Sequence, residues 1–413
     1  MRVLEFFKVK TVEETIALID EKIANRKETE IRPLHEALHY ILAQPITSKE
    51  NVPGFDRSTV DGYAVNARDT FGASETMPGF LTIVGEVKMG EKATQLVKRG
   101  EAIYVPTGGM IPPGADAVMM IEHCEAIDEL LNTYKQIAPG ENIIRTGEDI
   151  KEGELLLQDG VKLRPQELGA LAALGITEVV VYRRVTLGYL SSGDEIVPYQ
   201  TQHLEIGQIR DVNYLTISAL ANEWNIDVLY GGIVIDDYQT FANKAKELYE
   251  QVDCLILSGG SSVGAKDYTT EVIQSLGEPG VFVHGISIKP GKPTILAVAK
   301  GKPVIGLPGH PASAMIIFQL FGQRVLRRLK GEKIERKPDR IFARISKNIA
   351  SSPGRSDYIR VRLVEKESEW WAEPIIGKSG LITTLVKSDG LVEILSEKEG
   401  IAQGEYVPVI VTR

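Results

Sequence analysis

Asp253-Cys254-Leu255-Ile256-Leu257-Ser258-Gly259-Gly260-Ser261-Ser262-Val263-Gly264-Ala265-Lys266-Asp267 is the stretch whose reading decides the architecture. Its apolar opening predicts a short buried strand. The small residues that follow let the backbone approach a ligand closely, and each Gly tolerates positive φ. Tyr268 to Ile273 then reads as a helix, with Asp267 at its start. Strand, glycine loop and helix together aim backbone N–H groups at an anion. The same residues also suit an ordinary strand-to-helix turn with Asp267 as N-cap. No G-K-[ST] follows, so this is not a Walker A loop, and the G-x-G-x-x-G spacing of a dinucleotide fold is missing.

Around this stretch, residues 184–332 alternate between strand and helix patterns. Strands are predicted at 185–190, 227–235, 281–288, 294–298 and 303–306. Helices are predicted at 213–223, 238–249, 268–276 and 311–329. Such alternation predicts a mostly parallel sheet covered on both faces, with ligands at the carboxyl ends of its strands. The loops at 191–195 and 258–267 and the pair Asp236-Asp237 all fall at that edge.

The flanks read differently. Thr11-Val12-Glu13-Glu14 is a capping box before an amphipathic helix, and a second helix is expected from Pro33 to Ala43. Residues 51–141 hold short β runs at 80–84, 101–106, 117–121 and 134–137, separated by Gly and Pro, which predict a small inserted β domain. Asp61-Gly62 within it is a hairpin-type signal. Residues 142–183 return to the first unit, so that 1–50 and 142–183 together form one domain. A charged run, Gly331 to Pro338, leads to a last β unit over 333–413, read as a barrel or sandwich.

With 413 residues the chain exceeds what a single core usually holds. A net charge of −9 argues against a general nucleic-acid binder. Cys124 and Cys254 read as buried free thiols rather than a disulfide or zinc site. No apolar run approaches a membrane span and the N-terminus lacks a signal-peptide core, so a cytoplasmic location is expected.

Asp194, Glu195, Asp236, Asp237 and Asp267 would gather carboxylates at one sheet edge. Oxygen ligands without His or Cys suit a hard cation such as Mg²⁺ bridging protein and phosphate, although Asp237 equally suits a helix cap. Ile288-Lys289-Pro290-Gly291-Lys292-Pro293 presents two lysines on a stiffened backbone, suited to a phosphate or other oxyanion. Leu307-Pro308-Gly309-His310-Pro311 enters the last helix of the unit, with free N–H groups at its start.

Seven motifs occur in one order: Asp56 with Asp61-Gly62-Tyr63-Ala64; Thr107-Gly108; Gly147-Glu148-Asp149; Gly193-Asp194-Glu195; Ser258-Gly259-Gly260 through Asp267-Tyr268; Lys289 to Pro293; and Leu307 to Pro311. The chain thereby resembles the MoeA family of molybdopterin molybdenumtransferases, which includes the E domain of gephyrin. The resemblance runs from Thr11 to the end and takes in Gly377-Lys378-Ser379-Gly380-Leu381 and Asp389-Gly390-Leu391. It implies an elongated α/β linker domain, an inserted β domain, a molybdopterin-binding α/β domain and a C-terminal β-barrel, assembled as a homodimer. It implies insertion of molybdate into adenylylated molybdopterin with release of AMP, with Mg²⁺ as cofactor. The molybdopterin adenylyltransferase is then an expected pathway partner.

Carried over, Ser258, Gly259, Gly260, Ser262 and Gly264 would hold the pterin phosphate or its AMP. Gly193, Asp194, Pro308 and Pro311 would join them around the substrate. Glu195, Asp236 and Asp267 would hold the metal, and Lys289 and Lys292 would meet the phosphate or molybdate. Asp61, Thr107 and Asp149 would close the site from the partner subunit, with Arg145 adding positive charge. Two positions depart from the family pattern: His310 stands where Asn is common, and Ser261 where Val is common. An adenylyltransferase acting on molybdopterin, a cofactor-binding scaffold without turnover, and a tungstate-specific enzyme are the competing readings.

Overall fold

The computed structural model describes residues 9–25, 28–259, 268–333 and 339–412. At its centre lies a six-stranded sheet. Its order is Asp227–Val234, Thr186–Ser192, Cys254–Ser258, Lys302–Leu307, Ile295–Ala299 and Pro279–His284. The first three pairings are parallel and the last two antiparallel. Cys254–Ser258 is buried at all five positions because both faces are covered. Strand periodicity divides its apolar residues between two cores. Ile256 faces the Val212–Glu223 helix and the long helix over 311–329, with Ile217, Ile316, Ile317 and Phe321. Leu255 and Leu257 face Tyr238–Gln251 and Thr269–Leu276, with Phe241, Leu248, Val272 and Ile273.

The chain leaves Thr186–Ser192 over one face to reach Asp227–Val234, then crosses over the other face to Cys254–Ser258. The crevice between Thr186–Ser192 and Cys254–Ser258 is therefore a topological switch point, where doubly wound sheets bind ligands. The expected helix over 311–329 is continuous but contains a π-helical stretch, Phe318–Gly322. A Cβ on Gly322 would fall 2.3 Å from the Phe318 ring, so this stretch packs only with glycine.

The Val12–Lys22 helix carries the capping box read from sequence, with Glu14 N–H donating to Thr11 Oγ1 at 3.1 Å. Its Val12 and Ile19 share the central core, and Asp20 pairs with Arg324. The second helix expected at Pro33–Ala43 does not form. Thr29–Pro33 is a strand antiparallel to Glu178–Tyr182, followed by a single turn, Leu34–Glu36. Ile41 and Leu42 make bridges to Lys162 and Val181. Strand pairing to a distant segment overrides the local helical pattern here.

The inserted unit is a six-stranded sheet ordered Ala117–Met120, Gly62–Val65, Glu101–Val105, Gly79–Glu86, Leu130–Thr133 and Cys124–Ile127. The strand expected at 134–137 lies instead at Leu130–Thr133, hairpinned to Cys124–Ile127 through Asp128 at φ 54°. Nor does Asp61-Gly62 make a hairpin, since Arg57–Ser58 pairs with Ile143–Ile144. Gly62 sits inside a strand, where a Cβ would lie 2.1 Å from the Met119 carbonyl oxygen. The glycine serves close strand approach rather than a turn.

In the C-terminal unit Ser356–Lys366, Glu369–Pro374, Arg340–Ile345, Tyr406–Val411 and Gly390–Ile394 pair in turn, and Gly390–Ile394 returns to Ser356–Lys366. The ring closes as a five-stranded barrel around Ala343, Val361, Ala372, Val392 and Val409. Ile288–Lys289, from the central domain, adds to this barrel in parallel with Ser356-Asp357.

Candidate active site

Where the central sheet meets the barrel, a cleft of about 1310 Å³ opens over the switch point. Its floor is the end of Cys254–Ser258. Ser258 is buried, and Asn213 Nδ2 reaches its Oγ at 3.5 Å while donating to the Gly309 carbonyl at 2.8 Å. Asn213 Oδ1 is buried and bonds no described residue. Gly259 has φ 108°, and a Cβ there would lie 2.0 Å from the Ser192 carbonyl oxygen. The two central strands thus touch through a backbone position that only glycine fills. Gly260, Ser262, Gly264 and Asp267, expected to continue this loop, lie outside the described residues.

Asp211 is a buried carboxylate on the cleft wall. It caps Val212–Glu223 by accepting from Tyr214 N–H at 3.2 Å, and it accepts from Ser191 Oγ at 2.5 Å and Tyr230 OH at 3.0 Å. Burial and then the Asp211 charge push the Tyr230 hydroxyl pKa well above its usual range, so it stays a donor.

Positive charge also lines the cleft. Lys289 and Lys292 project from the loop ending Ile288–Lys289, which turns at Gly291 with φ 112°. Lys289 Nζ lies 3.8 Å from Asp357 Oδ2, and Arg355 Nε donates to Asp357 Oδ1 at 3.0 Å. Arg360 is only 7% exposed. Its guanidinium donates to Thr384 Oγ1 and to the Gly377 carbonyl at 2.9 Å, both neutral oxygens. Burial consequently lowers its pKa from the ordinary arginine value. Lys347 and Lys378 complete this basic rim.

Pro308 and His310 also face the cleft, while Pro311 begins the helix beside it. Glu195 stands on the wall. Gly193 and Asp194 border a smaller depression next to it, where Asp194 Oδ1 accepts from Asp236 N–H at 3.0 Å. Asp237 caps Tyr238–Gln251 by accepting from Thr240 N–H at 2.9 Å. Among the described residues no three His, Cys, Asp or Glu gather as a metal cage. Mg²⁺ commonly takes only one or two carboxylates plus phosphate oxygens, and an open wall bearing Glu195 fits that mode.

Asp61, Thr107 and Asp149 do not line the cleft of their own chain. Asp61 and Thr107 are brought together, with Thr107 N–H donating to Asp61 Oδ1 at 2.8 Å. Nearby, Asp56 accepts from Arg145 Nη1 at 2.8 Å and Thr146 N–H at 2.7 Å. Asp211, Asn213, Arg355 and Arg360 join the cleft from outside the motif loops. Asp211 could have been found as an Asp before a helical run; the barrel arginines carry no local signal.

A doubly wound sheet whose switch-point crevice faces a cationic wall defines an α/β protein for an anionic ligand. Residues 10–175 match the MoeA N-terminal region (domain I and II), 188–328 a probable molybdopterin binding domain, and 343–412 the MoeA C-terminal region (domain IV). A putative molybdopterin biosynthesis protein of Methanocaldococcus jannaschii is 36% identical over 93% of this chain and 92% of its own. The molybdopterin molybdenumtransferase of Haemophilus influenzae is 33% identical over 97% and 98%. A solved molybdopterin biosynthesis MoeA protein from Pyrococcus horikoshii is 37% identical and superposes with a TM-score of 0.78, over 98% of this chain and all of that one. The chain belongs to the MoeA family, the molybdopterin molybdenumtransferases of molybdenum cofactor biosynthesis.

Proposed function

We propose that the cleft binds adenylylated molybdopterin and molybdate, and that the protein inserts the metal oxyanion with release of AMP. The observation that carries this reading is the convergence of Lys289, Lys292 and a buried Arg360 on the same cleft as the Ser258–Gly259 strand end. An arginine whose bonds run to neutral oxygens holds unbalanced charge, which a phosphate or oxyanion would balance.

In this reading the backbone beyond Ser258 receives the phosphates, and Gly260, Ser262, Gly264 and Pro311 belong to the same cradle. Lys289 and Lys292 neutralise the phosphoanhydride as AMP leaves. Glu195, Asp236 and Asp267 would hold Mg²⁺, and the ion would supply charge neutralisation at the phosphate. Molybdate exchanges two oxygens, which leave as water with the dithiolene and solvent protons, for the two dithiolene sulfurs of the pterin. Water cleaves the phosphoanhydride to release AMP, so no protein nucleophile takes part. The thiols agree with this: neither lines the cleft, and burial pushes Cys124 up to about 12 and Cys254 higher still.

The enzyme works as a cytoplasmic homodimer in which Asp61, Thr107 and Asp149 complete the partner's cleft. Its substrate comes from the molybdopterin adenylyltransferase. The test is equilibrium binding of adenylylated molybdopterin. Affinity should weaken with salt and fall at least about tenfold in Lys292→Ala. Affinity indifferent to both would remove the proposal.

A further inference from the structure

We infer that His310 is a positioning residue that ties the barrel's Gly377–Ser379 segment over the cleft, rather than an acid–base or ligand residue. The inference rests on the substrate reading above only for its kinetic readout. His310 Nδ1 lies 3.0 Å from Ser379 Oγ, in a hydrogen bond between the central domain and the barrel. Two residues further on, Ala312 N–H donates to the Ser379 carbonyl at 3.1 Å. Ser379 thus satisfies a backbone donor at the start of Pro311–Ile317, where His310 occupies the N-cap position without capping through its side chain. Gly380 rides on the imidazole, since a Cβ there would lie 3.7 Å from His310 Cδ2. The other end of the segment is held by Arg360, through the Gly377 carbonyl.

Lys378 stands between these two ties and lines the cleft. Fixing Gly377 and Ser379 therefore fixes the backbone from which Lys378 and the Ser379 hydroxyl face the substrate. A histidine base that activates a hydroxyl is itself oriented by a third group on its second ring nitrogen. Among the described residues the His310 ring bonds only the Ser379 hydroxyl and no group holds its second nitrogen, so the geometry is that of a brace.

The geometry makes a nitrogen-specific prediction. An Asn amide places a polar atom where Nδ1 stands, whereas Gln extends to the position of Nε2. In His310→Ala, amides of residues 378–382 should exchange with deuterium about fivefold faster, and the KM for adenylylated molybdopterin should rise about fivefold to tenfold with kcat little changed. His310→Asn should restore both readouts, and His310→Gln neither. Ser379→Ala should reproduce the exchange effect without adding to His310→Ala.

Wild-type exchange in His310→Ala would overturn the inference, as would rescue by Gln but not Asn. Loss of kcat at unchanged KM in both Ala and Asn variants would overturn it in favour of proton transfer. Should the unmodified enzyme fail to turn over this substrate, the functional reading falls. The exchange data on the free protein would still decide the role of His310.

Discussion

Lys289 and Asp357 face each other across a parallel strand pairing that joins two domains, with Lys289 Nζ 3.8 Å from Asp357 Oδ2. The lysine side chain is 59% exposed and the aspartate 1% exposed. A buried carboxylate at the foot of an exposed ammonium holds that cation at the cleft without burying it. Arg355 bonds the other oxygen, so one anion organises two of the wall's cations.

Asp357→Asn should therefore lower stability by about 1–3 kcal/mol through its lost charge-assisted bond to Arg355. The midpoint of denaturant unfolding should fall with an unchanged slope. Coupling to Lys289→Met should stay below about 1 kcal/mol, because water screens so exposed a lysine.

Gly259→Ala addresses the switch point. The new methyl would collide with the Ser192 carbonyl at a positive φ, so the two central strands must separate. A stability loss of about 2 kcal/mol or more is expected, together with loss of binding. Calorimetry and ligand titration check both, and an unperturbed variant would mean the strand ends do not approach as described.

The positions of Asp61 and Asp149 make a prediction about assembly. Asp149→Ala and Lys292→Ala should each be inactive alone. Mixed dimers should regain a fraction of wild-type activity, because one of the two clefts then keeps both residues. No recovery on mixing, with exchange of subunits verified, would place Asp149 outside the partner's cleft.

Lys330 supplies the pH dependence. Burial holds its pKa down at about 8, against an ordinary value of 10.5, and Nζ donates to the Trp224 carbonyl at 2.7 Å. Between these values the unfolded chain binds the proton and the folded chain does not. Stability from this group therefore rises as pH increases through that window and is absent below it. Relative to Lys330→Met, the wild type should gain on the order of 2 kcal/mol between pH 7 and pH 10. Chemical denaturation of both proteins at the two pH values measures this, and a constant gap would contradict it.

Much of the fold was legible because its signals are local. The Thr11–Glu14 capping box, the Asp237 cap and the apolar run before Ser258 each depend on neighbours within a few residues. Failures came where distant pairing decided. Thr29–Pro33 is a strand because Glu178–Tyr182 lies beside it, and Gly62 is a strand glycine because Met119 crowds it. The site divided in the same way. Lys289, Lys292, Pro308 and Glu195 were visible in motif loops and reach the cleft. Arg360 arrives on a barrel strand that looks like any other and Arg355 just before it, and only the closure of that barrel against Ile288–Lys289 brings them in.

The most direct measurement is AMP release from adenylylated molybdopterin and Mg²⁺, with and without molybdate. Release should depend on molybdate and fall at least about a hundredfold in Lys292→Ala and in Asp267→Ala, as expected when charge stabilisation at a leaving phosphate is removed. Release indifferent to molybdate, or formation of the adenylylated compound from ATP instead, would contradict the assignment of metal insertion to this cleft.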